Sequence, residues 1–368
     1  MPKILLIEPV LAHYQKDVFK IFTNDKEFDF DIIAGRSYQG INSLQDEYSL
    51  FDHSTLKILN HTFYYLRGAV KYALSEKPDA IICTGVDFHL LHTILIFFIY
   101  RIVFRKRFYW WSHASSGNQG KFGFFIRKLF YKTSSGIFAY NRAGKINLNL
   151  MGIADQKIVV VNNSLNREDY GYLNHDLYNK KEGIPFTILY SGRVTKAKKV
   201  DILIKALGIL DKKSVFEFKC YIVGDGNLEE LIKITHELNI SDKIEFVGAK
   251  YGKDVHPYFL NSDLLVYPGG IGLSAVHSLS FGLPILTTDN LPLHFPEFEL
   301  IKPGYNGDLF MDNSFEDLAN KIVEWRNKLI INKEIYVNNC LKQIKDLGYL
   351  PEIVSSRVLD FMKSEFLL

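Results

Sequence analysis

Two basic residues and a glycine-rich loop some seventy positions downstream are the parts of this sequence best suited to chemistry. Ser191-Gly192-Arg193 directly follows the apolar run Phe186–Tyr190, and Lys198-Lys199-Val200-Asp201 opens the next stretch. An Arg and a Lys five residues apart, at the carboxyl end of a strand, can converge on one diphosphate. The Arg supplies a bidentate fork and the Lys a point charge. The same spacing also fits an ordinary solvated basic turn. Further on, Pro268-Gly269-Gly270-Ile271-Gly272-Leu273 precedes a helical stretch, Ser274–Phe281, which Gly282-Leu283-Pro284 ends. Glycines ahead of a helix let backbone N–H groups approach an anion closely, and the helix N-terminus adds about half a positive charge. A lone loop of this kind is usually a tight turn without a ligand; placed after the Arg/Lys pair, it makes a second grip on the same phosphates.

Other chemistry-bearing residues are weaker signals. Asp29-Phe30-Asp31 spells the D-x-D pattern of metal-dependent sugar transfer, but Phe28, Ile32 and Ile33 around it make an ordinary strand with polar flanks. The loop Glu8-Pro9-Val10-Leu11-Ala12-His13 contains no G-x-G-x-x-G, which argues against an N-terminal dinucleotide site. Trp110-Trp111-Ser112-His113 ends a strand, where a sheet presents side chains to a ligand; a structural histidine is the competing reading of His113. His13 and Tyr14, after the first strand, are candidate acceptor contacts, whereas His89 and His92 read as core or surface residues of an apolar helix.

The elements that must position these residues alternate. Strands are expected at Ile4–Ile7, Phe28–Ala34, Ala80–Cys83, Phe108–Trp111, Gly136–Ala139 and Lys157–Val161, with helices at Tyr64–Glu76 and Leu90–Val103 among the segments between them. Polar residues dominate from Arg167 to Gly183, and a second alternation starts at Phe186. Strand–helix alternation predicts parallel sheets covered on both faces. Two doubly wound domains follow, residues 1–172 and 185–345 joined by a linker at 173–184, with a ligand expected in the cleft between them.

With these residues in order, the C-terminal half resembles the GT-B glycosyltransferases, most closely family 4, the retaining group. The resemblance rests on Gly192-Arg193-x4-Lys198-x-Val200-Asp201, then Val223-Gly224-Asp225-Gly226 and Phe246-Val247-Gly248. It continues through Pro268-x3-Gly272-Leu273, Gly282-x-Pro284, Pro296-Glu297 and Gly304-Tyr305-Asn306-Gly307. It covers roughly residues 185–330; the N-terminal half matches in architecture and in Asn162-Asn163-Ser164. One departure concerns a pair of glutamates separated by seven residues in the family, whose positions hold Gly269 and His277 here. The resemblance implies an α/β GT-B fold of two Rossmann-like domains, with residues 346–368 crossing back to the first. It implies sugar transfer with retention and without a metal or cofactor, from a nucleotide-sugar donor to a glycan, lipid-linked in surface polysaccharide assembly. Arg193, Lys198 and the amides of Gly270–Leu273 would stabilise the departing diphosphate. Gly192, Ala249, Gly269, His277 and Glu297 would line the donor, Ala249 at the base and Glu297 at ribose or sugar. His113 would lie near the donor sugar. A catalytically silent nucleotide-binding or partner-recruiting subunit on the same fold is the alternative, and a nucleotide-sugar epimerase a third reading.

Charge adds a location. The chain has 368 residues and a formal net charge of +3, but the 67 residues between Asp87 and Asp155 hold ten bases and no acid. A nucleic-acid binder would more often be basic throughout a domain, so no nucleic-acid partner is expected. Within the segment, Phe122, Phe125, Ile126 and Leu129 share a helical face beside Arg127, Lys128 and Lys132. Bases next to aromatics suit an anionic bilayer surface. A core-facing helix with a solvated basic side is the plainer reading. No apolar run reaches the roughly 20 residues a span requires. Three dispersed cysteines, Cys83, Cys220 and Cys340, offer no disulfide framework and fit a reducing compartment. The expectation is a cytoplasmic protein, peripheral on the inner membrane face through residues 101–145.

Overall fold

The computed structural model describes residues 1–38, 41–44, 48–59, 61–114, 121–174 and 185–367, so most of the expected linker lies outside the described residues. The chain forms two compact units, Met1–Asn166 with Leu350–Leu368, and Arg167–Tyr349.

In the first unit the elements are β1 (Lys3–Glu8), α1 (Lys16–Thr23), β2 (Asp29–Gly35), β3 (Ser37–Tyr38), β4 (Ile41–Asn42), β5 (Ser49–Phe51), β6 (His53–Ile58) and β7 (His61–Leu66). There follow α2 (Ala69–Glu76), β8 (Ala80–Thr84), α3 (Leu91–Phe97), β9 (Arg107–Ser112), α4 (Lys121–Thr133), β10 (Gly136–Ala139), α5 (Arg142–Leu150) and β11 (Ile158–Val160). A parallel sheet runs β11-β10-β9-β8-β1-β2-β5. Its central strands are apolar on both faces, Ile4–Ile7 and Ala80–Cys83 being fully buried, because helices cover both sides. On one face α2, α3, α4 and α5 share a core that includes Ala73, Phe97, Tyr131 and Leu148. On the other, Val18, Phe19 and Phe22 of α1 pack with Val354, Val358 and Met362 from the end of the chain.

The helix expected at Tyr64–Glu76 is a correction. Tyr64–Leu66 belong to the antiparallel hairpin β6–β7, and α2 begins only at Ala69. Gly68, left-handed at φ 86°, separates the two, a conformation open to glycine at no steric cost. The apolar spacing of Tyr64, Leu66 and Ala69 runs through that break and mimics one helix.

The second unit holds α6 (Gly171–Asn174), β12 (Phe186–Ser191), α7 (Val200–Lys212), β13 (Phe218–Val223), α8 (Glu229–Glu237), β14 (Ile244–Gly248), α9 (His256–Leu260), β15 (Leu264–Tyr267), α10 (Ser274–Ser280), β16 (Ile285–Thr288), β17 (Gly307–Phe310) and α11 (Phe315–Leu347). Its parallel sheet runs β14-β13-β12-β15-β16-β17. The chain winds from β12 outward to β14, then returns beside β12 to build the other half. That reversal leaves a crevice beyond the carboxyl ends of β12 and β15, where open α/β sheets bind ligands. α11 bends at Asn332, whose backbone is non-helical and whose side chain accepts from the Ile335 amide at 3.3 Å. α12 (Pro351–Phe366) then joins the first unit, where Phe361 lies over Gly136. Among the described residues no helix is long and apolar enough to cross a membrane.

Candidate active site

The reversal point of the second sheet gathers the basic pair and the glycine loop. Gly192 follows β12 and lies against Tyr267 at the end of β15; a Cβ at 192 would sit 2.7 Å from the Tyr267 hydroxyl. Tyr190 stacks on Tyr267 with centroids 5.1 Å apart and donates its hydroxyl proton to the Arg193 carbonyl at 2.8 Å. Burial raises the pKa of both phenols, so both stay protonated donors. The Arg193 side chain is exposed, its backbone fixed from beneath. Ser274, the first residue of α10, donates to the Ser191 carbonyl at 3.0 Å and ties that helix to β12.

Lys198 closes the arrangement. Its Nζ donates to the Gly270 carbonyl at 2.6 Å and lies over the rings of Tyr267 and Phe295, at 5.0 and 5.5 Å from their centroids. Burial, then the charge of Arg193, lower its pKa. One of three ammonium donors is spent on Gly270, leaving two for a ligand. The neighbouring Lys199 points elsewhere, to Asp312 at 2.6 Å. Burial pushes the Asp312 carboxyl up, but hydrogen bonds from Lys199, Asn290 and Thr288 outweigh it and hold the group at about 2.

The loop is glycine for steric reasons. A Cβ at Gly269 would overlap the Ala197 carbonyl oxygen and lie 2.7 Å from Lys198 Cα. One at Gly270 would overlap the Leu293 carbonyl. The space a side chain at 269 would need is thus filled by the backbone that carries Lys198. The Ile271 amide donates to His294 Nδ1 at 3.2 Å, while His294 Nε2 meets the Thr288 carbonyl at 2.9 Å. This pairing puts the proton on Nε2, in a ring that burial keeps neutral and that stacks on Phe298 at 4.1 Å. The expected row of amides therefore has one member already engaged. Among the described residues, the N–H groups of Gly272 and Leu273 have no protein acceptor. Because α10 spans only seven residues, these amides matter more than its dipole.

Three further expected donor residues differ in their surroundings. Ala249 follows β14, at the sheet edge two strands from β12, and is exposed. The His277 ring packs 4.2 Å from Phe259 and 5.4 Å from Phe281. Burial, then the neighbouring His256, lower its pKa to about 3, and its Nε2 has no partner among the described residues. Glu297 is not at the surface: it is 3 % exposed in the helical turn Pro296–Leu300.

In the first unit His113 follows β9, with an accessible edge and its face stacked on Tyr140 at 4.2 Å. Burial holds its pKa at about 4, so the ring is neutral near pH 7. His13 and Tyr14 open a short turn after β1, with ring centroids 5.8 Å apart. Asn166 Nδ2 fixes that turn by donating to the His13 carbonyl at 2.9 Å. Asp31 of the D-x-D pattern accepts from Tyr72 at 2.8 Å.

Two residues went unread in the sequence. His294 is one, since nothing local marks its bond to a loop 23 positions earlier. Glu8 is the other. It ends β1 beside β8, the reversal point of the first sheet, and is 7 % exposed. Burial lifts its carboxyl to about 7, against a hydrogen bond donated by Thr84. A carboxylate closing the apolar run Ile4–Ile7 was the available signal.

Two Rossmann-like units in this order constitute the GT-B fold. Residues 176–337 match the family model described as glycosyl transferases group 1, somewhat less than half of the chain. The chain is similar to a Methanocaldococcus jannaschii protein described as uncharacterized glycosyltransferase MJ1178, at 32% identity over 182 residues, 49% of this chain and 45% of that one. A second protein of that organism, uncharacterized glycosyltransferase MJ1069, is 26% identical over 60% of this chain and 56% of its own length. The chain thus spans about half the length of the curated relatives it matches. Among solved structures, the lipopolysaccharide outer core galactosyltransferase WaaB in its apo form aligns over 99% of both chains, with a TM-score of 0.72 at 18% identity. HepE from Anabaena, in complex with UDP and glucose, aligns over 99% of this chain and 100% of its own, with a TM-score of 0.64 at 15% identity. At these identities the structural likeness establishes the fold.

Proposed function

We propose that the protein is a glycosyltransferase that moves a sugar, with retention, from a nucleoside-diphosphate donor to a lipid-linked glycan at an anionic membrane surface. The observation that carries this reading is the convergence of Arg193, Lys198 and the Gly269–Leu273 loop at the reversal point of the second sheet. The diphosphate departs with growing negative charge, against Arg193, two remaining donors of Lys198 and the amides of Gly272 and Leu273. Donors aimed where charge develops are commonly the largest catalytic contribution. In this reading the two cations take the place of a metal, and the leaving phosphate oxygen accepts the acceptor's proton. Within the second unit, Ala249 is assigned to the base, His277 to ribose, and Glu297 to ribose or sugar. Within the first, neutral His113 is assigned a hydrogen bond to a sugar hydroxyl, and His13 and Tyr14 the acceptor.

The membrane assignment draws on exposed apolar residues of α4, α5 and the turn Phe98–Val103 that follows α3. Phe98, Val103, Phe124, Phe125, Leu129, Ile146 and Leu150 are exposed there, Phe125 at 63 % and Leu150 at 81 %. Arg127, Lys128 and Lys132 belong to the same helix as Phe124, Phe125 and Leu129. The resemblance to WaaB supports a surface glycan as product, and UDP, bound in the HepE structure, is the first nucleotide to test. The experiment is donor-dependent release of nucleoside diphosphate in the presence of membrane extract. Turnover is expected from the wild type and not from Arg193→Ala. Full turnover by that variant refutes the assignment. The absence of a carboxylate at Gly269 favours a silent nucleotide-binding subunit as second reading, which predicts nucleotide binding and no release.

A further inference from the structure

A cavity of about 1040 Å³ lies at the amino edge of the first sheet, the edge opposite β-strand carboxyl ends where Glu8 and His113 sit. Arg101, Arg105, Lys106, Arg107 and Lys157 line it. Parallel strands joined by crossover helices bring helix C-termini to this edge, and the cations meet them there. Lys106 donates to the carbonyls of Lys77 and Pro78 past the end of α2, at 3.3 and 2.8 Å. Arg101 Nε and Lys157 Nζ donate to Thr133 and Lys132 at the end of α4, at 2.6 and 3.0 Å. Arg107 donates to the Glu365 carbonyl of α12 at 2.7 Å.

Carbonyls orient Arg101, Arg107 and Lys157 without neutralising them, while Lys106 also pairs with Asp79 at 4.0 Å. Five cations face the two carboxylates of Asp79 and Glu365, a surplus of three positive charges. Three helix C-termini at about half a negative charge each remove only half of that surplus. Arg105 stands out, since among the described residues its side chain has no acceptor. It also holds a left-handed backbone, φ 56°, just past the π-helical turn Phe98–Val103 that extends α3. Glycine or asparagine normally fills such a position. Directly before it, Ile102, Val103 and Phe104 are exposed.

We propose that this cavity binds the phosphate of an anionic phospholipid headgroup, with Arg105 as its principal contact and Val103 and Phe104 meeting the acyl boundary. The proposal deepens the membrane reading above and rests on it. A soluble phosphate has the same chemistry, but it gives no role to the apolar residues beside the cations.

The test is co-sedimentation with vesicles of phosphatidylcholine alone and of phosphatidylcholine mixed equally with phosphatidylglycerol. Wild type, Arg105→Asn and Lys128→Gln are compared, asparagine being chosen because it tolerates the left-handed backbone. One surface cation is worth roughly a fivefold change in partitioning. Arg105→Asn is expected to lose about tenfold or more on anionic vesicles, and Lys128→Gln no more than fivefold. Equal losses in both variants overturn the pocket while leaving the membrane reading intact. No preference of the wild type for anionic vesicles overturns both. A rise in melting temperature with inorganic phosphate, abolished by Arg105→Asn and without vesicle binding, assigns the cavity to a soluble anion and overturns the lipid.

Discussion

Lys198 and Lys199 are chemically identical neighbours with separate duties, one bonded to the glycine loop and the other paired with Asp312. The division depends on Gly269, because the Ala197–Lys198 backbone passes where a side chain at 269 would lie. Gly269→Ala should therefore cost about 1–3 kcal/mol in denaturant unfolding through overpacking. It should also weaken nucleotide binding by displacing Lys198. A variant as stable as the wild type, with unchanged binding, would show that the loop has room. The glycine at 269 was legible in the sequence, but the steric reason for it was not. The carbonyl it avoids lies seventy-two positions away, and only the sheet brings the two together.

Sheet reversal points organise the elements in both units. In the second, β12 and β15 present Arg193 and the glycine loop; in the first, β1 and β8 present Glu8 and Thr84. Glu8 gives a pH dependence whose sign follows from its folded pKa of about 7, above the ordinary value of 4.5. Its contribution is fully present below pH 4.5 and is lost as the pH rises through 7. Wild type should thus lose about 2–3 kcal/mol relative to Glu8→Gln between pH 4 and pH 8. Parallel stability profiles of the two proteins would place the ionised carboxylate in water instead. The strands themselves were readable, since Ile4–Ile7 and Leu264–Tyr267 are apolar runs that only a sheet covered on both faces requires. The β6–β7 hairpin was not, because its residues are half-exposed and their spacing continues into α2.

Across the whole molecule, the formal charge of +3 conceals a segment with no acid and a cationic edge. The sequence showed that asymmetry and the aromatics of α4. It could not show that α3 and α5 expose apolar side chains on the same face, since that requires their shared core. If this face enters the interface, Phe98→Ser combined with Phe125→Ser should weaken binding to anionic vesicles about tenfold or more, each ring burying roughly 1.5–3 kcal/mol. Raising the salt should weaken the wild type further, because exposed charges are screened within about 10 Å at 0.1 M. Undiminished vesicle binding by the double variant would assign the face to another use.

The central claim is that Arg193 and Lys198 hold a nucleoside diphosphate at the reversal point of the second sheet. Thermal unfolding of the wild type and Arg193→Ala with a panel of nucleoside diphosphates, beginning with UDP, tests it most directly. A ligand at a hundred times its dissociation constant stabilises the bound fold by about 2.7 kcal/mol. One diphosphate should raise the wild-type midpoint by several degrees and leave that of Arg193→Ala unmoved. A wild type indifferent to every diphosphate, or an equal rise in both proteins, would contradict the account.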